Sequence, residues 1–348
     1  MAKTMKAAVL HAVGDLRIED VPVPRLTRPD DVLVRIRSVG VCGSDIHYFR
    51  EGRIGRYIVE KPMVLGHECA GDVVEVGEAV AHLKPGDAVA LEPGIPCRKC
   101  VFCRTGRYNL CRDVVFFATP PIDGAFCEYV THPADFAFKL PDGMSLEEGA
   151  MMEPLAVGMY AAQRAGIATG DAVAVLGSGP IGLMALQAAK ARGATTLIAT
   201  DVSPMRLETA RKLGATHALD ARDVDVVKAV RELTGGRGAD AVMEAAGTVP
   251  TIQQALRAAT SGGRVILIGM PGQNEVPLSM PDLISRELDV GGLFRYANVY
   301  PAAIAAVGAG LIDVKSMVTH RYPLLEARDA LVFADENKDK CVKVAVEV

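Results

Sequence analysis

The sequence predicts an α/β protein of two domains, one rich in β-strands and the other a parallel sheet covered by helices. The chain has 348 residues, and a single hydrophobic core rarely grows beyond about 250–300 residues. From Asp171 onward, short apolar segments alternate with helix-length segments. That alternation is typical of β-α-β units, in which parallel strands are joined by helices.

The first 150 residues have the pattern of a β-rich domain. The apolar segment 32–36 alternates at its end with the charged Arg35 and Arg37, and the segment 70–76 is dense in β-branched residues. Both patterns are typical of strands. Turn signals built on glycine follow at 13–15, 84–87 and 141–143, so we expect short strands joined by tight turns.

The second half supplies the β-α-β elements in order. Strands are predicted at 172–176 and 196–200, and helices at 180–192 and 204–213. Further short apolar strands are predicted at 239–244, 264–268 and 289–293. The last of these would be an edge strand, which must be protected. Pairing of two such edges about a two-fold axis predicts a homodimer, or a homotetramer built from dimers.

The last fifty residues lose this alternation. They contain a predicted helix near 325–334 and end on an apolar strand at 342–348. We expect this tail to return to the first domain, which would make that domain discontinuous in sequence.

Composition excludes several classes of function. Half of the residues are hydrophobic and the net charge is −4, so neither nucleic acid nor an anionic membrane is expected as a partner. The segment 172–189 has no charged residue, but three glycines and a proline break it, and a strand, turn and helix explain it better than a membrane span. The first eleven residues lack the apolar stretch of a secretory signal, and clustered cysteines suit a reducing, cytoplasmic setting.

Four cysteines lie close together in a polar segment, with the spacing C-x2-C-x2-C-x7-C. They are Cys97, Cys100, Cys103 and Cys111. Thiolates at such spacing can converge on one tetrahedral ion, which predicts a closed structural zinc site. An iron–sulfur cluster is disfavoured because the ferredoxin pattern needs three residues before its last cysteine and a proline after it. Coincidental free cysteines are the remaining alternative.

A glycine-rich turn between a predicted strand and helix indicates a dinucleotide site. The motif comprises Gly177, Gly179, Pro180, Ile181 and Gly182 around Ser178. An acidic residue, Asp201, follows nineteen positions after the last glycine, as the Rossmann fingerprint requires. The carboxylate would accept from ribose hydroxyls and repel a 2′-phosphate, so NAD is favoured over NADP. Arg206 could instead bind such a phosphate, although we expect it beside the adenine or paired with Asp201.

Three other segments contain donors for a second metal. They are the segments 42–48, 66–68 and 152–155, which contribute Cys42, His67, Glu68 and Glu153. A catalytic zinc typically takes three protein ligands and keeps one position open. In a regular strand His67 and Glu68 would point to opposite faces. The two can face one ion only if the backbone turns at Gly66. Otherwise Glu68 would lie behind the ligands, and Glu153 would be the ligand or would hold a water.

Together these motifs resemble the medium-chain zinc-dependent dehydrogenases over nearly the whole chain. The resemblance rests on Gly66-His67-Glu68, the four-cysteine segment, Lys84-Pro85-Gly86-Asp87 and the glycine turn. It implies a GroES-like β-barrel catalytic domain formed by residues 1–154 and 296–348, with a structural zinc lobe at about 93–114. A Rossmann domain at 155–295 would be inserted into it.

Within that family the sequence is most similar to the polyol branch, the sorbitol and xylitol dehydrogenases. The discriminating segments are Cys42-Gly-Ser-Asp-Ile-His-Tyr48, Glu153-Pro-Leu155 and Phe294-Arg-Tyr-Ala-Asn298. Simple alcohol dehydrogenases of the family place a cysteine ligand where this chain has Glu153. The resemblance implies a catalytic zinc held by Cys42, His67 and Glu68, with Glu153 close by, often through a water.

The implied activity is NAD-dependent oxidation of a sugar alcohol to a ketose, of the D-xylulose reductase or L-iditol 2-dehydrogenase type. Xylitol is the favoured substrate and sorbitol the next. Ser44 and His47 keep the spacing of a proton relay, and Tyr48, Glu153, Arg295 and Tyr296 are the expected polyol contacts. Further cofactor contacts are predicted at Arg206, Ile268, Gly269, Met270, Leu293, Phe294 and Arg295. The alternatives are a threonine or butanediol dehydrogenase of the same family, and a non-catalytic protein that binds NAD or zinc.

Overall fold

The polypeptide divides into two units, each with its own sheet. The computed structural model describes residues 3–348. The first unit comprises the chain up to Glu153 together with Tyr300–Gly308 and Val314–Val348. The second comprises Pro154–Val299 and Ala309–Asp313.

Strands occur throughout the described residues. They are β1 Thr4–Ala12, β2 Asp15–Pro22, β3 Asp31–Gly40, β4 Arg53–Ile54, β5 Tyr57–Ile58, β6 Met63–Val64, β7 Glu68–Val76, β8 Ala88–Leu91, β9 Gly94–Ile95, β10 Val115–Phe116, β11 Tyr129–Pro133, β12 Ala137–Lys139, β13 Ala172–Leu176, β14 Thr196–Asp201, β15 His217–Asp220, β16 Ala239–Glu244, β17 Ala259–Leu267, β18 Asp289–Gly292, β19 Val318–Pro323 and β20 Lys343–Glu347.

Helices are concentrated in the middle of the chain. They are α1 Gly43–Glu51, α2 Val101–Arg104, α3 Leu146–Ala150, α4 Met152–Arg164, α5 Pro180–Ala191, α6 Pro204–Lys212, α7 Val226–Leu233, α8 Val249–Ala258, α9 Met280–Ser285, α10 Tyr300–Gly308 and α11 Ala327–Glu336.

The first unit is built on a seven-stranded sheet with β3 at its centre. The order is β12-β8-β7-β3-β20-β19, and β11 also pairs with β3. Both segments predicted as strands from their apolar pattern lie here, in β3 and β7, which run antiparallel. The terminal strand β20 pairs antiparallel with β3 at its carboxyl end, where Ala345 lies opposite Gly40. The end of the chain therefore lies beside the start of α1.

The core of the first unit is formed by the inward residues of these strands. Val34, Ile36 and Val39 of β3 are fully buried, and Val346 of β20 packs in the same cluster. Burying side chains of this size contributes roughly 1.5–3 kcal/mol each. The sheet is thereby a rigid base for the residues at the ends of β3 and β7.

The second unit is a parallel sheet in the order β15-β14-β13-β16-β17-β18. Numbered from its first strand, this is the 3-2-1-4-5-6 order of the Rossmann fold. The predicted strands and helices are all present, and β18 lies at an edge of the sheet as expected. The sequence did not predict β15, because all four of its residues are only half-buried and its apolar pattern is weak.

The apolar segment 172–189 forms β13, a turn and most of α5. None of the helices in residues 3–348 combines the length and the hydropathy that a bilayer span requires.

Candidate metal and dinucleotide sites

Cys42, His67 and Glu68 converge in the first unit. Their ligand atoms all lie within 4.8 Å of one another. Cys42 immediately precedes α1, and Glu68 is the first residue of β7. Gly66 has φ of +86°, a conformation that favours glycine. The backbone turns there before the strand begins, so two consecutive side chains can face one ion.

A buried carboxylate, Asp45, holds the two halves of this group together. One oxygen accepts a hydrogen bond from the backbone N–H of Cys42 at 2.9 Å. The other accepts from the backbone N–H of Gly66 at 2.9 Å and lies 3.8 Å from Nδ1 of His67. Sequence reasoning missed Asp45, although an acidic residue in the first turn of a helix that follows Cys42 is a detectable signal.

The electrostatics around His67 suit a cation. Burial alone would lower the pKa of this imidazole, but Cys42 and the Asp45 carboxylate outweigh burial and raise the pKa well above its usual value. The ring of Phe116 lies 5.6 Å away between centroids. Negative charge gathered around a buried imidazole is the environment that a divalent ion neutralises.

Glu68 has a second cationic neighbour that the sequence did not reveal. Nζ of Lys343, in β20, donates a hydrogen bond to Oε1 of Glu68 at 2.6 Å and lies 2.5 Å from Oε2. The side chains are only 3% and 1% exposed. Burial would lower the pKa of Lys343, but Glu68, Cys42 and Glu153 together raise it. The lone lysine in the apolar segment 341–346 was the available signal.

The remaining predicted residues of this site lie on α1 and at the start of α4. Glu153 is buried and near enough to act on Lys343, but in residues 3–348 the three-donor group does not include it. Ser44 is half-buried and Tyr48 buried. His47 is exposed, with Nδ1 at 3.1 Å from Oε1 of Glu51.

The four predicted cysteines form a second group, with all four sulfur atoms within 4.8 Å of one another. Sγ of Cys100 lies 3.4 Å from Sγ of Cys103, and the backbone N–H of Cys97 donates to Sγ of Cys111 at 3.4 Å. Backbone N–H groups of Lys99 and Cys100 lower the pKa of Cys97 to about 7. A thiol of that pKa deprotonates readily for a metal.

Buried polar contacts tie this lobe to the sheet. The Tyr108 hydroxyl donates a hydrogen bond to Oε1 of Glu92 at 2.8 Å. Burial, aided by the charge of Glu153, raises the pKa of Glu92 to about 8, although the Tyr108 hydrogen bond acts against that rise. At the surface, Arg98 donates to Asp135 at 2.6 Å.

The second unit presents the predicted glycine turn between β13 and α5. Gly177 has φ of +95°, and a Cβ there would lie 2.8 Å from the backbone of Ala246. A side chain at Gly182 would meet the carbonyl oxygen of Gly177. Gly179 is the N-cap of α5 and Pro180 its first residue. Helix N-termini of this form bind phosphate groups through backbone N–H groups and the helix dipole.

Asp201 lies at the end of β14, next to this turn. Oδ2 accepts from the backbone N–H of Ser178 at 2.8 Å, and Oδ1 accepts from Val202 and Ser203 at 2.8 Å and 2.9 Å. The carboxylate is thereby fixed. Nη1 of Arg206 lies 3.9 Å from Oδ2, and its buried Nε has no hydrogen-bond partner in residues 3–348.

The other predicted cofactor residues lie after β17 and β18. The backbone N–H groups of Ile268 and Gly269 donate to the carbonyl of Glu244, while Leu293 donates to that of Leu267. Met270 is 77% exposed. The carboxylate of Glu244, which sequence reasoning missed, accepts from the backbone of Ala246 and Gly247 and from the Thr251 hydroxyl.

Phe294, Arg295 and Tyr296 follow β18 and differ in exposure. Phe294 is 44% exposed and Tyr296 buried. Arg295 has φ of +52° and its guanidinium lies 4.9 Å from the centre of the Phe294 ring.

The donor sets fit zinc. Four thiolates suit a closed tetrahedral site, whereas a thiolate, an imidazole and a carboxylate leave a coordination position open, as catalytic sites require. The crowded glycines beside an N-terminal helix end likewise suit a dinucleotide.

Both halves of the chain match known families. Residues 28–142 match the alcohol dehydrogenase GroES-like domain, and residues 180–309 match the zinc-binding dehydrogenase domain. A sorbitol dehydrogenase of Bacillus subtilis (strain 168) is 47% identical over 344 residues, which are 99% of this chain and 97% of the relative.

Solved structures agree with these matches. An oxidoreductase/dehydrogenase of unknown specificity from Escherichia coli superposes with a TM-score of 0.95 at 40% identity, covering 99% of both chains. A zinc-binding dehydrogenase from Sinorhizobium meliloti 1021, bound to NADP, superposes with a TM-score of 0.92 at 36% identity, covering 99% of this chain and 100% of the other.

Proposed function

Because the chain belongs to the zinc-binding medium-chain dehydrogenase family, in the group that contains the sorbitol dehydrogenases, we propose that it oxidises a sugar alcohol to a ketose. The cofactor is NAD and the metal zinc, with one catalytic and one structural ion in each chain. Xylitol, giving D-xylulose, is the favoured substrate, and sorbitol, giving fructose, is the next.

The observation that carries this proposal is the three-donor group of Cys42, His67 and Glu68. Three protein ligands leave room for a substrate oxygen, unlike the four-cysteine group of the same unit. Simple alcohol dehydrogenases of the family have a cysteine at the position of Glu153. The carboxylate at this position favours a substrate that carries several hydroxyl groups. A carboxylate can accept hydrogen bonds from such a substrate, and a site built for that pairing rejects analogues that lack the hydroxyls.

The chemistry divides between the bound groups and the chain. When bound, zinc acts as a Lewis acid that makes the substrate hydroxyl more acidic, and NAD accepts the hydride. In the chain, Asp45 fixes the segments that carry Cys42 and His67 through two backbone hydrogen bonds. Tyr48 and Glu153 are proposed polyol contacts in the first unit. Arg295 and Tyr296 remain polyol contacts proposed from the sequence.

A proton must leave as the hydroxyl is oxidised, and α1 offers a route. Ser44 and His47 are three residues apart, so they are neighbours on the helix surface. Ser44 is half-buried, whereas the side chain of His47 is 60% exposed and lies beside Glu51. We propose that the Ser44 hydroxyl passes the proton to His47 and that His47 releases it to water.

The preference for NAD rests on Asp201. Its carboxylate is held by three backbone N–H groups and cannot turn away from a nearby anion without losing them. A 2′-phosphate would therefore meet a fixed negative charge, which Arg206 at 3.9 Å offsets only in part. A relative binds NADP, so the ratio of kcat/KM for NAD to that for NADP is the measurement that tests this preference.

Two further parts of the proposal concern assembly and location. In the part of the chain that the structure describes, β18 pairs with β17 alone, so a second copy can pair on its other side, which favours a homodimer or a tetramer of dimers. The clustering of cysteines in a metal-binding arrangement favours a reducing compartment, for which we propose the cytoplasm.

A substrate panel tests the function. With NAD and xylitol or sorbitol, absorbance at 340 nm should rise as NADH forms. A chelator should abolish this activity, and added zinc should restore it. Faster turnover of threonine or 2,3-butanediol than of any pentitol or hexitol would replace the proposal with one of its rivals. Absence of activity on the whole panel, with zinc bound, would favour a non-catalytic protein.

A further inference from the structure

Lys343 is paired with Glu68, one of the three proposed ligands of the catalytic zinc. Lys343 lies near the end of the chain and Glu68 is 275 residues away, yet adjacent strands bring them together. Ala345 lies opposite Gly40, and Gly40 lies opposite Glu68. Side chains alternate along a strand, so Lys343, two residues before Ala345, is on the same face and reaches across Gly40 to Glu68.

Gly40 supplies the space for this contact. A Cβ at this position would collide with Oε2 of Glu68 and would lie 3.0 Å from Cε of Lys343. The φ angle of Gly40 is outside the left-handed region, so the backbone conformation does not require glycine here. What requires it is the ion pair, which passes over the position that a side chain would occupy.

A metal bound at the three-donor group would therefore share Glu68 with Lys343. Both oxygens of Glu68 lie within 2.6 Å of Nζ of Lys343, while a carboxylate oxygen also belongs to the three-donor group with Cys42 and His67. The ammonium of Lys343 offsets part of the negative charge of Glu68, so Glu68 attracts a metal less strongly. An ion held by Cys42 and His67 must compete with Lys343 for the third donor.

We propose that Lys343 is a positioning residue that weakens Glu68 as a zinc ligand and so keeps the catalytic ion loosely held and open to substrate. This inference rests on the proposed zinc site. Removing the ammonium should strengthen zinc binding for two reasons, one in the metal-free protein and one in the zinc-bound protein. The metal-free protein is left with a buried, unpaired carboxylate, which is costly, and the zinc-bound protein gains a stronger ligand.

The test is the affinity of the catalytic zinc in Lys343→Met, which keeps the length of the side chain without its charge. We expect the dissociation constant, measured by competition with a chromogenic chelator, to fall tenfold or more. The metal-free protein should melt at a lower temperature than wild type, and zinc should restore most of the loss. The catalytic ion is identified as the one that Cys42→Ser fails to retain.

Three companion variants keep the test decisive if Lys343→Met folds poorly. Lys343→Arg keeps the charge and should stay within about threefold of the wild-type zinc affinity. In a Glu68→Gln background, Lys343→Met should no longer change that affinity, because the coupled charge is gone. Lys139→Met removes another lysine–carboxylate pair of the same unit, formed with Asp87 at 2.7 Å, and should leave the zinc affinity unchanged.

An unchanged or weakened zinc affinity in Lys343→Met would overturn the inference, as would an equal effect in the Glu68→Gln background. Its failure can be distinguished from that of the proposed function. If zinc binds more tightly in Lys343→Met but no polyol is oxidised by the wild type, only the function is wrong. If the wild type oxidises polyols and the zinc affinity does not respond to Lys343, only the inference is wrong.

Discussion

Replacing Glu92 with glutamine should stabilise the protein by an amount that grows with pH. The Glu92 side chain is buried just after β8, and its Oε2 has no hydrogen-bond partner in residues 3–348. Burial raises the pKa from 4.5 to about 8. The folded protein thus keeps a proton on Glu92 at pH values where the unfolded chain has lost it, so folding becomes less favourable as the pH rises from 4.5 to 8.

The magnitude follows from the shift. The difference, 8 − 4.5, is 3.5 pKa units, and each unit corresponds to about 1.4 kcal/mol. Glutamine never ionises and keeps an oxygen to accept the Tyr108 hydroxyl. The variant should therefore match wild type near pH 4.5, exceed it by about 2 kcal/mol at pH 6, and exceed it by about 5 kcal/mol at pH 9.

Thermal melts followed by circular dichroism suit this test, because the chain has no tryptophan. At pH 9 the Tm of the zinc-loaded variant should lie about 7 °C above that of wild type, because the entropy of unfolding of a chain of 348 residues is about 0.7 kcal/mol/K. Tyr108→Phe is the matched control. It removes the hydrogen bond that lowers the pKa of Glu92, so its stability should fall more steeply with pH than that of wild type. A Tm difference between Glu92→Gln and wild type that is the same at pH 5 and pH 9 would refute the reasoning.

Three other predictions follow from the sites and the edge strand. Cys100→Ser should release one zinc per chain and lower Tm while chelator-sensitive activity survives; full zinc content by metal analysis would contradict the structural site. We expect wild type to prefer NAD over NADP by tenfold or more (about 1.4 kcal/mol). Asp201→Ala should reduce this preference, because it removes the negative charge beside Arg206. Equal kcat/KM for the two cofactors in wild type would disprove the preference. Gly292→Lys places a charge on β18 where a Cβ meets no atom within 4 Å, so sedimentation should show dissociation. Gly272→Lys, equally unobstructed, is the control, and an intact oligomer in Gly292→Lys would exclude edge pairing.

The family and the α/β class were predictable from the sequence, and the comparisons confirm both. These features depend on local patterns. The glycine turn and the cysteine spacing each lie within fifteen residues, and apolar periodicity marks every strand of the parallel sheet except β15. That strand is half-buried along its length, so its residues alternate too weakly to be recognised.

The contacts around the proposed zinc ligands were decided by tertiary structure. Whether His67 and Glu68 can face one ion depends on the backbone at Gly66, which the sequence does not determine. Its φ of +86° shows that the backbone turns there, so both side chains can face one ion. The longer-range contacts of Asp45, Glu92 and Lys343 were not predicted either, since they join residues 21, 16 and 275 positions apart.

The physical reason is that some features depend on residues close in sequence, whereas others depend on residues that only the fold brings together. A turn, a helix start or a metal-binding loop is specified by neighbours in sequence, because backbone conformation and short loops respond to local residues. The charge state and availability of a buried carboxylate depend on which groups the fold places around it. Lys343 reaches Glu68 only because β20 pairs with β3 and Gly40 leaves the space between them, and no pattern within either segment records that pairing.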